Sequence, residues 1–119
     1  MTIDPRVLAD LAGRAAGNKK ARDITILDIG KISVIADFFV ICSGSSSINV
    51  QAIAGEIVDK VKEEFNGLAP RIEGHREGRW ILLDYGDVVI HVFQEEERRF
   101  YNLEHLWGDA PVVGMPVSM

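Results

Sequence analysis

One stretch of the sequence concentrates acidic, aromatic and histidine side chains at β-strand spacing: WILLDYGDVVIHVF, residues 80–93. Two apolar runs flank the tetrapeptide DYGD, and a glycine inside so short a connection predicts a β-hairpin. A two-residue loop at YG would pair Asp84 with Asp87 and Trp80 with His91. Like charges directly opposite each other on two strands are destabilising, so packing alone does not explain these carboxylates. We therefore take this stretch as the first candidate site.

Side chains alternate across a strand, which divides the hairpin into two predicted faces. The aliphatic face is predicted to be core and carries Ile81, Leu83, Val88, Ile90 and Val92. The opposite face carries Trp80, Leu82, Asp84, Asp87, Val89, His91 and Phe93. Because the second face combines carboxylates, a histidine and aromatic rings, it is the one predicted to have a function beyond packing.

The sequence contains no motif for a metal centre or a serine hydrolase. His75, His91 and His105 have neither HxxxH nor HExxH spacing, and a single cysteine cannot form a CxxC pair. A catalytic triad of Ser45, His91 and Asp84 can be written down, but no GxSxG elbow supports it. We therefore predict no resident metal and no cofactor.

Nucleotidyl transfer is the enzymatic alternative. A buried strand, Gly44-Ser45 and a helix resemble the opening of the nucleotidyltransferase superfamily fold. That chemistry needs carboxylates at near-adjacent strand positions to hold Mg²⁺ over a triphosphate. Residues 69–73, which follow the helix, have no such pair, and Asp84 and Asp87 are predicted to lie across a turn. The alternative is therefore an enzyme with a rearranged Mg-binding acid site.

The turn at residues 44–47, GSSS, has two readings of its own. Free backbone amides at a helix N-terminus can bind phosphate, but neither GxxxxGK[ST] nor GxGxxG surrounds this turn. The simpler prediction is that Ser45 or Ser46 caps the helix.

Charge and composition narrow the class of partner. The chain has 119 residues and a formal net charge of −5, which predicts one acidic domain and a poor general binder of phosphate backbones. If it works near RNA, a basic protein surface is the expected contact, because opposite potentials steer association. The alternative is a single-stranded RNA binder that stacks bases on Trp80 and Phe93. Sequence-specific contact with nucleic acid is not expected.

Targeting signals are not evident in the sequence. The N-terminus lacks the basic-then-apolar layout of a signal peptide, and no apolar run reaches the roughly 20 residues of a membrane helix. The single cysteine, Cys42, suits a reducing compartment and closes an apolar run in which it is predicted to be buried and inert. We expect a cytoplasmic protein with no membrane partner.

The predicted elements alternate between helices and strands. In chain order they are a helix from Asp4-Pro5 to Gly17, strands over 23–29 and 38–42, a long helix ending at Gly67, an edge strand over 69–73, the hairpin, and an amphipathic helix of about three turns with Phe100, Leu103, Leu106 and Trp107 on its apolar side. The continuous apolar run at 38–42 predicts a central strand.

These elements predict an α/β fold with a central mixed sheet of about five strands and helices packed on it. The step from Phe38 to Glu73 should be a right-handed parallel crossover, and the hairpin is antiparallel. We predict a single domain over residues 1–108, followed by a loose tail over 109–119 that is rich in proline and glycine.

The hairpin stretch and its neighbours resemble the signature of the ribosomal silencing factor family RsfS, the bacterial and organellar group also called Iojap. The strongest matches are WILLDYGDVVIHVF at 80–93, RRFYNLE at 98–104 and Leu106-Trp107. Earlier segments agree, namely LDI at 27–29, ADFFVI at 36–41, SGSS at 43–46, VQAIA at 50–54 and EG at 73–74. The resemblance covers residues 5–108, and the tail lies outside it.

The resemblance implies a nucleotidyltransferase-like fold without demonstrated catalysis and a function by steric blockade. Family members dock on the fourteenth protein of the large ribosomal subunit, at the face that meets the small subunit. Subunit joining is then prevented, and translation falls when nutrients are scarce. Members are often homodimers in isolation. The acidic charge of this chain agrees with a basic ribosomal protein as the contact.

We assign the expected contact with that protein to the hairpin and the start of the following helix. The predicted contact residues are Trp80, Leu82, Asp84, Tyr85, Asp87, His91, Arg99 and Tyr101. Aromatic side chains would be the desolvated anchors, and the carboxylates would face Arg or Lys of the partner. The alternative for Trp80 and His91 is that they only pack beneath the C-terminal helix, and Trp107 is predicted to be core.

Overall fold

The computed structural model describes residues 3–106, 108 and 110–114. The helices are α1 (Pro5–Asn18), α2 (Ser47–Glu64), α3 (Glu95–Tyr101) and α4 (Leu103–Leu106), and the strands are β1 (Arg22–Asp28), β2 (Phe38–Gly44), β3 (Arg71–Glu73), β4 (Trp80–Asp84), β5 (Val88–Gln94) and β6 (Val112–Gly114). Among these elements no helix combines the length and the apolar character that crossing a membrane requires.

The strands form one mixed sheet in the order β3-β4-β5-β2-β1-β6. β2 pairs in parallel with β5, and the remaining pairs are antiparallel. β2 therefore lies inside the sheet, as its continuous apolar run predicts, and β3 is an edge strand. β2 and β3 run in the same direction with β5 and β4 between them. The predicted mixed α/β fold class is confirmed.

Helices α1 and α2 cover one face of the sheet. All five residues of the predicted aliphatic face belong to the cluster beneath these helices: Ile81, Leu83, Val88, Ile90 and Val92. Cys42 is buried in the same cluster, as predicted, and burial raises the pKa of its thiol to about 12. A thiol that stays protonated at neutral pH is a poor nucleophile.

The opposite face of the sheet has a smaller core and a thinner cover. Its buried residues are Leu27, Ile29, Ala36, Phe39, Ile41, Val89, Phe93 and Ala110, with Trp80, Leu82 and Leu103 partly buried at the margin. These residues come from the sheet, from the loop after β1 and from the chain after β5. Because none of the long helices of the described residues packs on this face, the side chains at its margin keep contact with solvent.

Both long helices begin at the predicted caps. The Asp4 Oδ1 accepts a hydrogen bond of 2.9 Å from the backbone N–H of Arg6, and the Ser46 Oγ accepts one of 3.1 Å from the N–H of Asn49. The N–H of Ser45 donates to the Asn49 Oδ1 at 2.9 Å. The backbone N–H groups of Ser45 and Asn49 therefore donate to side chains of the same chain, which agrees with the predicted capping role of the GSSS turn.

Part of the predicted loose tail is ordered as a strand. Residues Val112–Gly114 form β6, which pairs antiparallel with β1, and the Pro111 carbonyl accepts a hydrogen bond of 2.9 Å from the N–H of Asp28. The Arg6 Nη2 also donates to the Val113 carbonyl at 2.6 Å. The prediction fails here because β1 otherwise presents an unpaired edge that a following segment can satisfy. The sheet consequently has six strands and not about five.

The predicted amphipathic helix at the C-terminal end is also different. Asn102 has φ 47° and ends α3 in the left-handed conformation, which asparagine tolerates better than most residues. The break separates α3 from α4 and changes the helical phase. Phe100 consequently lies on the surface with 81% of its area exposed. The prediction of a buried Trp107 falls outside the described residues.

Candidate functional site

The hairpin has a different register from the predicted one. Trp80 pairs with Phe93, Leu82 with His91 and Asp84 with Val89, so the expected Asp84–Asp87 pair is wrong. The pairing is displaced by two residues, which is one full period of side-chain alternation. Each strand residue therefore keeps its predicted face.

The two aspartates of the hairpin make different contacts, and only Asp84 has a side-chain role in the turn. The Asp84 Oδ1 accepts a hydrogen bond of 2.8 Å from the N–H of Gly86, which has φ 90°. Such Asx turns favour aspartate before a glycine with positive φ. Asp87 is exposed, and its carbonyl accepts from the N–H of Asp37 at 2.8 Å. These carboxylates lie at the hairpin tip, about 13 Å along β4 from Trp80.

Tyr85 lies on the face opposite to Trp80. Its ring packs against the cluster beneath α1 and α2, and its hydroxyl is buried without a hydrogen-bond partner among the described residues. Burial raises the pKa of the phenol. The side chain lines a cavity of about 380 Å³ together with Ile3, Pro5, Leu8, Leu68, Asp87 and Val88. Tyr85 therefore cannot share one contact surface with Trp80.

His91 is a buried support for Trp80. The Trp80 Nε1 donates a hydrogen bond of 3.1 Å to the His91 Nδ1, and the imidazole is only 4% exposed. Phe39 meets the imidazole edge-on with ring centroids 4.6 Å apart. Desolvation lowers the His91 pKa from 6.5 to about 4, so the ring is neutral and carries its proton on Nε2. His91 supports the indole in this way, and its burial disfavours the predicted direct contact with a partner.

The exposed end of this face is a group of aromatic rings, which we call the aromatic cluster: Trp80, His91, Phe93, Phe100 and Tyr101. The Trp80 ring stacks on Phe93 at 4.8 Å and contacts Tyr101 at 4.7 Å. Phe93 is fully buried, whereas Tyr101 is 48% exposed. The cluster therefore has a buried base and a solvent-facing rim. Stacking of an RNA base on Phe93 is not compatible with this burial.

Arg98 anchors α3 to the sheet, a role that the sequence did not reveal. Its side chain is 11% exposed, and its Nη2 lies 2.6 Å from the Glu104 Oε2. The Arg98 Nη1 donates to the Ser43 Oγ at 2.9 Å. Arg99, the predicted contact residue next to it, is exposed. In a continuous helix, residues 98 and 104 would not be neighbours. The break at Asn102 changes the direction of the chain and allows their side chains to meet.

We expect Arg98→Ala to lower the free energy of unfolding by about 2 kcal/mol, because Glu104 and Ser43 lose a charged hydrogen-bond donor. Urea titration followed by circular dichroism measures this change. Arg99→Ala removes the same side chain from the neighbouring exposed position and should change stability by less than about 0.5 kcal/mol. Equal effects of the two substitutions would contradict the anchoring role.

The loop between β3 and β4 is held against the start of β4. The Gln51 Nε2 donates to the His75 carbonyl at 2.9 Å, and the Gln94 Nε2 donates to the Gly78 carbonyl at 3.0 Å. Gly74 has φ 80°, and a Cβ there would overlap the Trp80 carbonyl oxygen. Only glycine permits this approach, which places residues 74–79 beside the aromatic cluster.

Comparison with known proteins assigns the chain to a family. The family described as "Ribosomal silencing factor during starvation" matches residues 2–118. The chain belongs to this family. The match extends through the tail that we had expected to lie outside the family pattern, in keeping with the ordered strand β6.

Individual relatives agree with this assignment. The ribosomal silencing factor RsfS of Bacillus subtilis is 47% identical over 118 residues, covering 98% of both chains. The factor of the same name from Halalkalibacterium halodurans is 52% identical over 106 residues, covering 89% of this chain and 90% of the relative. A crystal structure of a Chromobacterium violaceum protein superposes with a TM-score of 0.84 at 34% identity, covering 89% of this chain and 88% of that one.

Proposed function

We propose that this protein binds the large ribosomal subunit through its fourteenth protein and sterically blocks association with the small subunit, which represses translation when nutrients are scarce. The observation that carries this proposal is the solvent-facing rim of the aromatic cluster, in a member of the silencing factor family. Trp and Tyr side chains that are partly exposed on a rigid base are typical anchors of protein interfaces.

The proposed docking surface is centred on Trp80 and Tyr101. Leu82, half-buried on the same face, and Arg99, exposed on α3, complete it. Asp84 and Asp87 belong to its periphery, where a carboxylate acts on a basic partner by long-range attraction more than by desolvated contact. Of the eight predicted contact residues, Tyr85 and His91 are left out because their polar atoms are buried.

Charge supports a basic protein as the partner. The chain carries a formal net charge of −5, and α3 opens with three consecutive glutamates, residues 95–97. An acidic surface is attracted to basic ribosomal proteins and repelled by the phosphates of ribosomal RNA. Docking on a protein of the large subunit is therefore favoured over direct binding to RNA.

Size supports blockade as the mechanism. The molecule measures 35 × 33 × 27 Å along its principal axes. Even its shortest dimension far exceeds the roughly 3–4 Å at which atoms of two surfaces make contact. A body of this thickness on the joining face would hold the two subunits apart without any chemical step.

The alternative, nucleotidyl transfer, is not favoured by the geometry. The GSSS turn begins at Gly44, which is paired with Gln94, whereas the hairpin tip precedes Val88, which is paired with Phe38. Seven paired residues of β2 and β5 separate the turn from Asp84 and Asp87, a distance of about 20 Å. Carboxylates so far from the turn could not share a triphosphate with it. We propose a non-enzymatic factor without a cofactor.

Purified ribosomal subunits test the proposed function directly. We expect the protein to cosediment with large subunits and not with small ones, and to lower the yield of joined ribosomes in proportion to its occupancy of large subunits. Light scattering after mixing the subunits measures joining. Absence of binding would refute the proposal, and binding that leaves joining unchanged would refute steric blockade.

The state of the free protein and its location are further parts of the proposal. The family resemblance predicts a homodimer in isolation, and analytical ultracentrifugation over a range of concentrations measures it. A factor that acts on ribosomal subunits works where they assemble, so we propose the cytoplasm as its location.

A further inference from the structure

A slot opens beside the aromatic cluster, between the loop at residues 74–79 and α3. It has a volume of about 260 Å³ and is lined by Gly74, Glu77, Arg79, Trp80, Glu97 and Tyr101. Cavities that enclose cofactors and other whole small molecules usually measure about 300–1,000 Å³. The slot is therefore better matched to a single side chain of a partner.

Two carboxylates line the slot. Glu77 on the loop and Glu97 on α3 form no ion pair or hydrogen bond with the described residues, whereas Glu95 is paired with Arg22 and Glu104 with Arg98. Arg79 lines the same slot and is likewise unpaired within the described chain. Two acids against one base leave the slot with a net negative charge.

The aromatic wall of the slot is accessible to a ligand. The ring centroids of Phe93 and Tyr101 lie 6.5 Å apart, and each lies within 5 Å of the Trp80 centroid. These distances describe nearly a right angle at Trp80, so the indole is not sandwiched between the two rings. Trp80 therefore keeps ring surface that lines the slot.

We propose that the slot receives an arginine side chain of the basic ribosomal partner, an inference that rests on the proposed function. Its guanidinium stacks on the rings of Trp80 and Tyr101 and donates hydrogen bonds to the carboxylates of Glu77 and Glu97. Arginine fits both features, since its planar guanidinium stacks on aromatic faces and its fork of N–H groups matches carboxylates. Lysine would fit the slot less well, because its ammonium group is a compact charge without a planar surface for stacking.

The walls of the slot are held in place before the partner arrives. The hydrogen bond from Trp80 to His91 orients the indole, and the Gln51 and Gln94 side chains hold the loop that carries Glu77. Arg98 holds the helix that carries Glu97. Such preorganisation lowers the entropy lost on binding.

The double variant Glu77→Gln/Glu97→Gln tests the proposal in cosedimentation with purified large subunits. Removing both charges without changing side-chain size should weaken binding by about tenfold or more. The matched control is Glu63→Gln/Glu64→Gln, which removes two exposed glutamates at the end of α2 and should stay within about twofold of the wild type. Arg79→Gln should have the opposite effect and strengthen binding to large subunits, because it removes the cation that competes with the partner's arginine for the two carboxylates.

The possible outcomes distinguish a failure of the slot proposal from a failure of the proposed function. If the wild type binds large subunits and both double variants bind equally well, the slot proposal is overturned and the proposed function stands. If the wild type does not bind, the proposed function is refuted, and titration with short peptides then tests the slot proposal separately. In NMR titrations, N-acetyl-Gly-Arg-Gly-amide should shift the Trp80 indole N–H signal of the wild type and not of Glu77→Gln/Glu97→Gln. Equal shifts with the uncharged citrulline peptide, or no shift with either, would overturn the proposal.

Discussion

Trp80→Ala is expected to weaken binding to the large ribosomal subunit by about 100-fold, close to 3 kcal/mol, the loss typical of a central aromatic anchor. The substitution removes the indole from the centre of the docking surface and from the wall of the slot. Cosedimentation or fluorescence anisotropy with labelled protein measures the change. Circular dichroism and urea titration establish whether the variant is folded at the assay temperature.

Tyr101→Ala separates binding from folding in the same experiment. Tyr101 is half exposed at the rim, so its loss should weaken binding by about tenfold while changing stability little. Val7→Ala is the matched control, because Val7 is a half-exposed apolar residue on α1, which covers the opposite face of the sheet. Wild-type affinity of both Trp80→Ala and Tyr101→Ala would reject the docking surface and leave the family assignment intact.

Acid should destabilise the protein through His91. The pKa of this side chain is about 4 in the folded protein against 6.5 in a solvated histidine, so the folded state resists its protonation. The stability that depends on neutral His91 is complete above pH 6.5 and is lost as the pH falls from 6.5 towards 4. Over this window the loss amounts to about 3 kcal/mol. Protonation of Nδ1 would also remove the acceptor of the Trp80 indole.

The control for this effect is His91→Phe, which keeps a ring in the core and removes the titrating group. Urea titrations of both proteins at several pH values between 7 and 4 should show the wild type losing stability faster as the pH falls. Carboxylates elsewhere titrate in both proteins and cancel in the difference. Parallel stability curves would mean that His91 has an ordinary pKa in the folded state.

The hairpin illustrates how far local sequence carries a structural prediction. The alternation of aliphatic and other side chains correctly assigned both faces, even though the pairing was displaced by two residues. Because one full period of alternation was involved, the error left the faces unchanged. The error did change the interpretation of Asp84. Its carboxylate accepts a hydrogen bond within the turn and does not face Asp87 as a pair of acids.

Residues at the site were harder to predict than the elements that carry them. His91 and Tyr85 were both expected at a contact surface, but their polar atoms are buried. Their burial depends on what packs over them, which is Phe39 for the imidazole and the core beneath α1 and α2 for the phenol. Arg98 and the slot depend likewise on the break at Asn102 and on a loop about twenty residues before α3, which no local pattern reports.

The sequence by itself determined the order of the elements from α1 to β5, the cap of α1 at Asp4, the cap of α2 at Ser45 or Ser46, the central position of β2 and the family. Each of these follows from neighbouring residues, through side-chain alternation, capping groups and apolar runs. Only the tertiary structure decided that Trp80 is supported by a buried neutral histidine, that residues 112–114 extend the sheet, and that Glu77 and Glu97 face one slot. These features join segments distant in the chain, because exposure and charge pairing depend on the packing of the whole fold.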